Sequence, residues 1–189
     1  MKKTVLTFGL IAGGILSVMM LLTLPFHETI GFDRLEIIGY ATMVGAFLLI
    51  YFGVRSYRDR VAGGWLSFGR AFKVGALIAL IASSCYVATW QVIYHTVGDR
   101  FMEQYQAHAL EQERASGATA AELEKRRTDM ERFAALYRNP AINVAITFLE
   151  PLPIGLLFAL VSAALLRRKT VGAPDAGNAQ PHFSSAVGP

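Results

Sequence analysis

The sequence predicts an all-α integral membrane protein: a four-transmembrane-helix bundle with a periplasmic helical hairpin between spans three and four. Hydrophobic residues make up 53% of the 189-residue chain and charged residues only 17%, whereas a soluble domain usually has about 25% charged residues. The charges are also clustered, so long apolar runs alternate with charge-rich segments, as is typical of multi-pass membrane proteins. Most positive charges lie beside apolar runs, so the net charge of +4 does not indicate a nucleic-acid partner.

Four apolar segments are each long enough to cross a bilayer. About 20 helical residues, at 1.5 Å each, span a hydrocarbon core of about 30 Å. Lys2 and Lys3 precede the first segment, as in a signal peptide, but its apolar run is too long and Leu24-Pro25-Phe26-His27 is not a small-residue cleavage site. We therefore expect an uncleaved first helix. The segments run roughly over residues 4–24, 36–54, 72–94 and 141–166.

Basic residues next to the spans predict the orientation. One side of the membrane collects ten lysines and arginines against two acids, and the positive-inside rule places that side in the cytoplasm. Both termini are therefore expected to be cytoplasmic. Residues 170–189 are rich in glycine, proline and small residues, which predicts a disordered cytoplasmic tail after a membrane domain over residues 1–169.

The short loop on the basic side predicts one further element. Gly63-Gly64 is a turn signal, and Ser67 is a candidate N-cap. Trp65, Phe68 and Phe72 share one helical face, so we expect a short interfacial helix before the third span.

The loop over residues 95–140 predicts an extracytoplasmic helical hairpin. Residues 119–122 have the form of a capping box, and Asn139-Pro140 is expected to end the second arm. Each arm has about 20 residues and could project about 30 Å. A thin apolar face on each arm suits mutual packing, and also a partner membrane protein or a second copy of the chain. These faces are Val97, Phe101, Tyr105 and His108 on one arm, and Leu123, Met130, Ala134 and Tyr137 on the other.

Every predicted span carries small residues at four-residue spacing. Such stripes allow helix backbones to approach closely in a membrane, where packing drives association. We expect them to close the four spans into one bundle. They are Gly9, Gly13 and Ser17; Ala41, Gly45 and Gly53; Gly75, Ala79 and Ser83; and Gly155, Ala159 and Ala163.

Glu150 is an acid within the fourth apolar segment, followed by Pro151 and Pro153. A charge in hydrocarbon is costly, so the residue is a candidate functional site. The prolines lack an amide hydrogen and, if the segment stays helical, they free the carbonyls of Thr147 and Leu149. A carboxyl group beside free carbonyls suits a proton or a hard cation.

Counting residues along each span places Ser17 and Tyr86 at the depth of Glu150, and Thr89 slightly above. No lysine or arginine matches that depth, so we expect Glu150 to be protonated, or hydrogen-bonded to Tyr86 or to water. Two interpretations remain: a carboxyl group that fixes the proline kink, or an ion, proton or ligand site. The candidates for such a site are Glu150, Tyr86, Thr147, Ser17 and Thr89.

The sequence offers no recognisable catalytic set. There is one cysteine, Cys85, which rules out an intrachain disulfide and a Cys/His zinc pattern. No phosphate-binding loop or metalloprotease motif is found. A lipid-modifying enzyme would have to use His27, His95 and Glu36, which lie on separate segments. We therefore expect no enzymatic activity, no metal and no cofactor, with the lipid bilayer as the surroundings.

Five separated stretches of the chain form recognisable motifs: residues 9–13, 36–40, 53–59, 68–75 and 147–155. They resemble a bacterial family of unknown function, domain-of-unknown-function family four-one-nine-nine. The resemblance covers roughly residues 1–169. It implies a four-span inner-membrane protein and suggests that Glu36 and Glu150 belong to recurrent motifs, but it supplies no catalytic residue.

Taken together, these features favour a non-enzymatic accessory or interaction protein of the inner membrane, acting through its hairpin. The alternative is a small transporter or a proton- or ion-coupled module that uses Glu150.

Overall fold

The structure is a computed structural model that describes residues 1–167, except for the side chain of Asp99. The predicted tail at 170–189 lies outside these residues. All regular elements in the described part are helices, and four helical segments are long and apolar enough to cross a membrane. The predicted all-α, four-span architecture is confirmed. The spans cover Lys2–Ile30, Phe32–Arg60, Phe68–Gly98 and Pro140–Leu166.

The first two spans are joined by a short helical connection. Helix α1 covers Lys2–Thr23, a single 3-10 turn covers Leu24–Phe26, and α2 covers His27–Ile30. Gly31 then adopts a φ of 82°, which only glycine reaches without strain, and this reverses the chain into α3. Helix α3 covers Phe32–Arg60.

The third span and the first hairpin arm form one continuous helix. Helix α4 covers Phe68–Ala115, 48 residues long. The predicted separate interfacial helix is therefore wrong, because Phe68 already lies in the first turn of α4. Ser67 occupies the N-cap position, but its side chain makes no capping hydrogen bond.

Helix α5, Ala120–Tyr137, is the second hairpin arm. Its predicted capping box is present: the Glu122 amide donates to Thr119 Oγ1, and the Thr119 amide donates to Glu122 Oε2. These bonds from Thr119 hold the pKa of the Glu122 carboxyl below its ordinary value. The helix ends before Asn139-Pro140, as predicted.

The fourth span consists of two helices. Helix α6 covers Pro140–Phe148 and α7 covers Pro151–Leu166. The Asn139 side chain accepts a hydrogen bond from the Ala141 amide at 3.0 Å and caps the start of α6. The span is thus capped where it begins and interrupted at Leu149 and Glu150.

The four spans close into a bundle in which α1 packs on α3 and α4, and α7 packs on the same two helices. Predicted small residues lie at these contacts. A β-carbon added at Gly13 would lie 2.7 Å from Cys85 Cβ, and one at Gly155 would lie 2.8 Å from Ala79 Cβ. Gly45 is an exception, because a β-carbon there would meet nothing within 4 Å. Its predicted packing role is wrong, since that part of the α3 surface faces away from the bundle.

The two hairpin arms contact each other through polar groups. Arg126 Nε lies 2.9 Å from Glu113 Oε1, and Gln106 Nε2 donates to the Met130 carbonyl at 3.4 Å. On α5, Tyr137 is buried, whereas the neighbouring residues on either side are exposed. The periodicity of the second arm therefore identified its inward face correctly.

The apolar face of the first arm has a different partner from the one predicted. Phe101 and Tyr105 of α4 pack on Phe32 at the start of α3, with ring centroids 5.6 and 5.8 Å apart. His108 packs on the same ring at 5.2 Å and approaches Asp33 Oδ1 at 3.3 Å. His108 thus belongs to the contact with the start of α3, because this face of α4 is directed toward that connection.

Aromatic side chains cluster at the base of the first arm. Trp90 and Phe101 of α4 share one helical face, and their ring centroids are 5.8 Å apart. A β-carbon at Gly98 would lie 2.5 Å from the Tyr94 ring, so the ring lies across the backbone at this position. Together with the packing of Phe101 on Phe32, these contacts hold the first arm against the α1–α3 connection.

Candidate functional site

Glu150 lies at the break between α6 and α7. Pro151 and Pro153 cannot donate the backbone hydrogen bonds that would continue the helix, and the Leu149 amide bonds the nearer carbonyl of Ile146 at 2.9 Å. Glu150 keeps right-handed helical angles, φ −80° and ψ −64°. The hydrogen-bond ladder is therefore interrupted without reversing the direction of the chain.

The Glu150 carboxyl group is bonded to the third span. Tyr86 Oη of α4 donates to Glu150 Oε2 at 2.7 Å, so the expected hydrogen bond is present. Glu150 occupies the N-cap position of α7, but its side chain makes no capping bond. The carboxyl group thus ties the break to α4 and does not cap α7, whose Pro151 and Pro153 have no amide hydrogen to donate.

Glu150 is exposed on the lateral face of the bundle, and its neighbour Leu149 is 70% exposed. Glu36 and Tyr40 line an open, shallow depression along the N-terminal half of α3. The Glu150 site is therefore a hydrogen-bonded carboxyl group on the exposed surface of the bundle.

Thr147 belongs to a buried polar network beside this site. Trp90 Nε1 donates to Tyr137 Oη at 2.9 Å, and Tyr137 Oη and Thr147 Oγ1 are 3.0 Å apart. Gln91 Nε2 donates to Asn143 Oδ1 at 2.7 Å, and Thr147 Oγ1 donates to the Asn143 carbonyl at 2.7 Å. The network joins α4, α5 and α6, so Thr147 helps to attach the hairpin to the fourth span.

The sequence interpretation missed most of this network. Asn143 is only 1% exposed, and an amide in an apolar run is itself a signal, because a buried polar side chain needs a partner. Gln91, near the end of the third apolar run, offered the same signal. The pairing between them depends on how α4 and α6 pack.

Ser17 and Thr89 form a separate contact between α1 and α4. Thr89 Oγ1 donates to Ser17 Oγ at 2.8 Å, and the Cys85 carbonyl lies 2.9 Å from Thr89 Oγ1. Neither hydroxyl group hydrogen-bonds Glu150 in the described structure. The structure therefore brings Ser17 and Thr89 to each other, because Thr89 lies on the face of α4 that contacts α1.

His27 holds the first hairpin arm to the α1–α3 connection. Its Nε2 lies 2.6 Å from Gln104 Oε1, and Gln104 Nε2 donates to Glu28 Oε1 at 2.9 Å. No hydrogen bond joins His27 to His95 or Glu36 in the described part of the chain. Among the same residues, no three histidine, cysteine, aspartate or glutamate side chains form a group that could hold a metal ion.

The helices and this site define an all-helical, multi-pass membrane protein with a carboxyl group at a break in its last span. The profile of a family described as "Protein of unknown function (DUF4199)" matches residues 7–168, and the chain belongs to that family. No curated protein matches the chain, and no solved structure does.

Proposed function

We propose that this protein is a non-enzymatic accessory or interaction protein that acts through the outer face of its hairpin. The observation that carries the proposal is the firm attachment of the hairpin to the bundle. Two contacts hold it: the network around Tyr137 and the ring cluster around Phe32. A platform held in this way presents its outward side chains in a defined position, which lowers the ordering cost of binding a partner.

The outward side chains at the base of α5 are apolar. Phe133 is 44% exposed and Leu136 is 57% exposed, although both adjoin the buried Tyr137. Large exposed apolar groups on an otherwise polar helix are typical of a contact surface. We propose a second copy of the chain as the occupant, with another membrane protein as the alternative.

Crosslinking in intact membranes tests this surface. In a Cys85→Ser background, Phe133→Cys and Leu136→Cys are expected to give disulfide-linked dimers. Glu124→Cys, on the exposed polar part of α5, is the matched control and is expected to stay monomeric. Equal dimer yields at all three positions, or monomer throughout, would count against the second copy. A crosslink to a different protein would assign the surface to that partner.

We also propose that the protein lies in a bacterial inner membrane with both ends of the described chain, residues 1 and 167, toward the cytoplasm. Supporting this orientation, one end carries nearly all the basic side chains that flank the spans. The hairpin would then be periplasmic. Reporter fusions at Gly117 and after Leu166 test this: activity of a periplasmic reporter is expected only at the hairpin tip.

A second candidate function rests on the Tyr86–Glu150 bond. A carboxyl group at a helix break, exposed sideways within the span, is an arrangement that proton- and ion-coupled proteins use. Here Glu150 would exchange a proton or bind a cation, and Tyr86 would position one carboxyl oxygen. Glu150→Gln should abolish such a flux in proteoliposomes, with Glu36→Gln as a comparison. An unchanged flux would exclude the candidate.

A further inference from the structure

The turn between α3 and α4 lies at the basic end of the bundle. Gly63 and Gly64 have φ values of 63° and 86°. The Ala62 amide donates to the Tyr57 carbonyl at 3.0 Å and the Gly64 amide to the Arg58 carbonyl at 2.9 Å, so the turn is hydrogen-bonded to the last turn of α3. Leu66 is 2% exposed and anchors the turn in the core.

The anchored turn directs two aromatic side chains outward. Trp65 is 47% exposed and Phe68 is 39% exposed, on either side of the buried Leu66. The Phe68 and Phe72 rings are stacked, with centroids 6.4 Å apart and planes 5° apart. Exposed aromatic rings at the end of membrane spans favour the depth of the lipid headgroups.

Three cations flank the same turn: Arg60 ends α3, and Arg70 and Lys73 lie in the first two turns of α4. All three side chains are exposed, and none has a carboxylate partner among the described residues. The nearby acid, Asp59, is engaged by Arg58 at 2.7 Å. The turn therefore combines exposed aromatic groups with three cations that have no counterion within residues 1–167.

We propose that this turn binds anionic phospholipids, with Arg60, Arg70 and Lys73 contacting headgroup phosphates around the turn and Trp65 and Phe68 inserted beside the glycerol region. Charge complementarity identifies the occupant, because a zwitterionic headgroup gives no net attraction to the three cations. Helix capping and topology explain why cations lie at this end. The exposed aromatic pair then holds the anchored turn at headgroup depth, where the three cations are within reach of the phosphates.

Tryptophan fluorescence of the full chain in neutral detergent micelles tests the proposal. Titration with dioctanoyl phosphatidylglycerol is expected to shift the Trp65 emission saturably, whereas dioctanoyl phosphatidylcholine is not. Trp65→Phe should remove the response, since the other tryptophan, Trp90, lies at the opposite end of the bundle. Equal responses to both lipids, or none to either, would overturn the proposal.

Variants that remove the charges measure how much the three cations contribute to the affinity for phosphatidylglycerol. R60Q/R70Q/K73Q is expected to weaken phosphatidylglycerol binding about 100-fold, at roughly fivefold per basic residue. K125Q/R132Q/R138Q removes the same number of charges from the hairpin and should leave the binding unchanged. Circular dichroism checks folding, and Arg60→Gln alone, with an expected loss of about fivefold, replaces the triple variant if that variant unfolds. Equal losses in both triple variants would overturn the proposal.

Two competitors distinguish other occupants. Inorganic phosphate at millimolar concentration should not displace the lipid, and polyglutamate should compete only weakly. If phosphate displaced the lipid with an affinity equal to that of the lipid, the turn would be a binding site for a free anion. If polyglutamate bound more tightly than the lipid, the turn would be a binding site for an acidic protein segment. Either result would overturn the lipid assignment.

Discussion

The attachment of the hairpin to the fourth span is expected to depend on one phenol group. Tyr137 Oη accepts the Trp90 indole hydrogen at 2.9 Å and lies 3.0 Å from Thr147 Oγ1. Tyr137→Phe keeps the ring packing on Tyr94 and Phe133 and removes only these polar contacts. The variant therefore isolates the hydrogen bonds from the aromatic packing.

The expected loss of stability follows from the hydrogen bonds that each partner of Tyr137 keeps in the variant. Thr147 retains its 2.7 Å bond to the Asn143 carbonyl, so the free energy lost at Thr147 is small. Trp90 Nε1 loses its acceptor, and an unsatisfied buried donor costs about 1–3 kcal/mol. Hydrogen bonds measured inside membrane bundles average about 0.6 kcal/mol. We therefore expect Tyr137→Phe to lower the free energy of unfolding by about 1 kcal/mol, the lower end of the first range.

A double-mutant cycle measures the bond itself. The free energies of unfolding of the wild-type chain, Trp90→Phe, Tyr137→Phe and the double variant are compared by denaturant titration in mixed micelles. We expect a coupling energy of about 0.6–1.7 kcal/mol, and faster amide exchange at the base of α5 in both single variants. Additive effects with unchanged exchange would refute the reasoning that this network fastens the hairpin.

Three further predictions test the packing, the cap and the aromatic contact. Gly13→Ala should destabilise the bundle by about 1–3 kcal/mol, because its β-carbon would lie 2.7 Å from α4. Gly14→Ala, with nothing within 4 Å, should instead stabilise α1 by about 0.5–1 kcal/mol. Equal unfolding transitions of the two variants would contradict this. The Glu122 pKa is lowered in the folded chain, so its contribution to α5 is present above the ordinary carboxyl pKa and is lost as pH falls through the lowered value. The protection of the Thr119 amide against exchange, relative to the intrinsic exchange rate at each pH, should therefore fall on acidification, and Glu122→Gln should remove most of that change. Phe32→Ala should release the first hairpin arm, so amide exchange should become faster in that arm and stay unchanged in the bundle core. Unchanged amide protection in the arm would show that the ring cluster does not hold it.

The number of spans, the capping box and the hairpin could be predicted because they depend on local properties. A run of about 20 apolar residues crosses a bilayer whatever its neighbours are, and a cap needs only residues within one helical turn. The interfacial helix was predicted wrongly for the same reason: Phe68 has the local signals of a helix start, but nothing local shows whether that helix ends before the span.

The sequence predicted the level along each span at which the site residues lie, but not which neighbouring helix each of them faces. Counting residues placed Tyr86, Ser17 and Thr89 near the level of Glu150, and Tyr86 does bond it. Thr89 is only three residues further along α4, yet it bonds Ser17 on α1. Position along a helix follows from residue number, whereas the face that meets a given neighbour depends on the packing of all four spans.

The amino-acid sequence by itself determined which segments are helical, which of them cross the membrane, and that the fourth span carries an acid beside two prolines. These follow from hydropathy and backbone chemistry, which act within a few residues. Only the tertiary structure decided that the first hairpin arm packs on Phe32, that Asn143 meets Gln91, and that Glu150 bonds Tyr86 on the lateral face. Those contacts join residues far apart in the chain, and they are set by how closely the small residues allow the helices to approach.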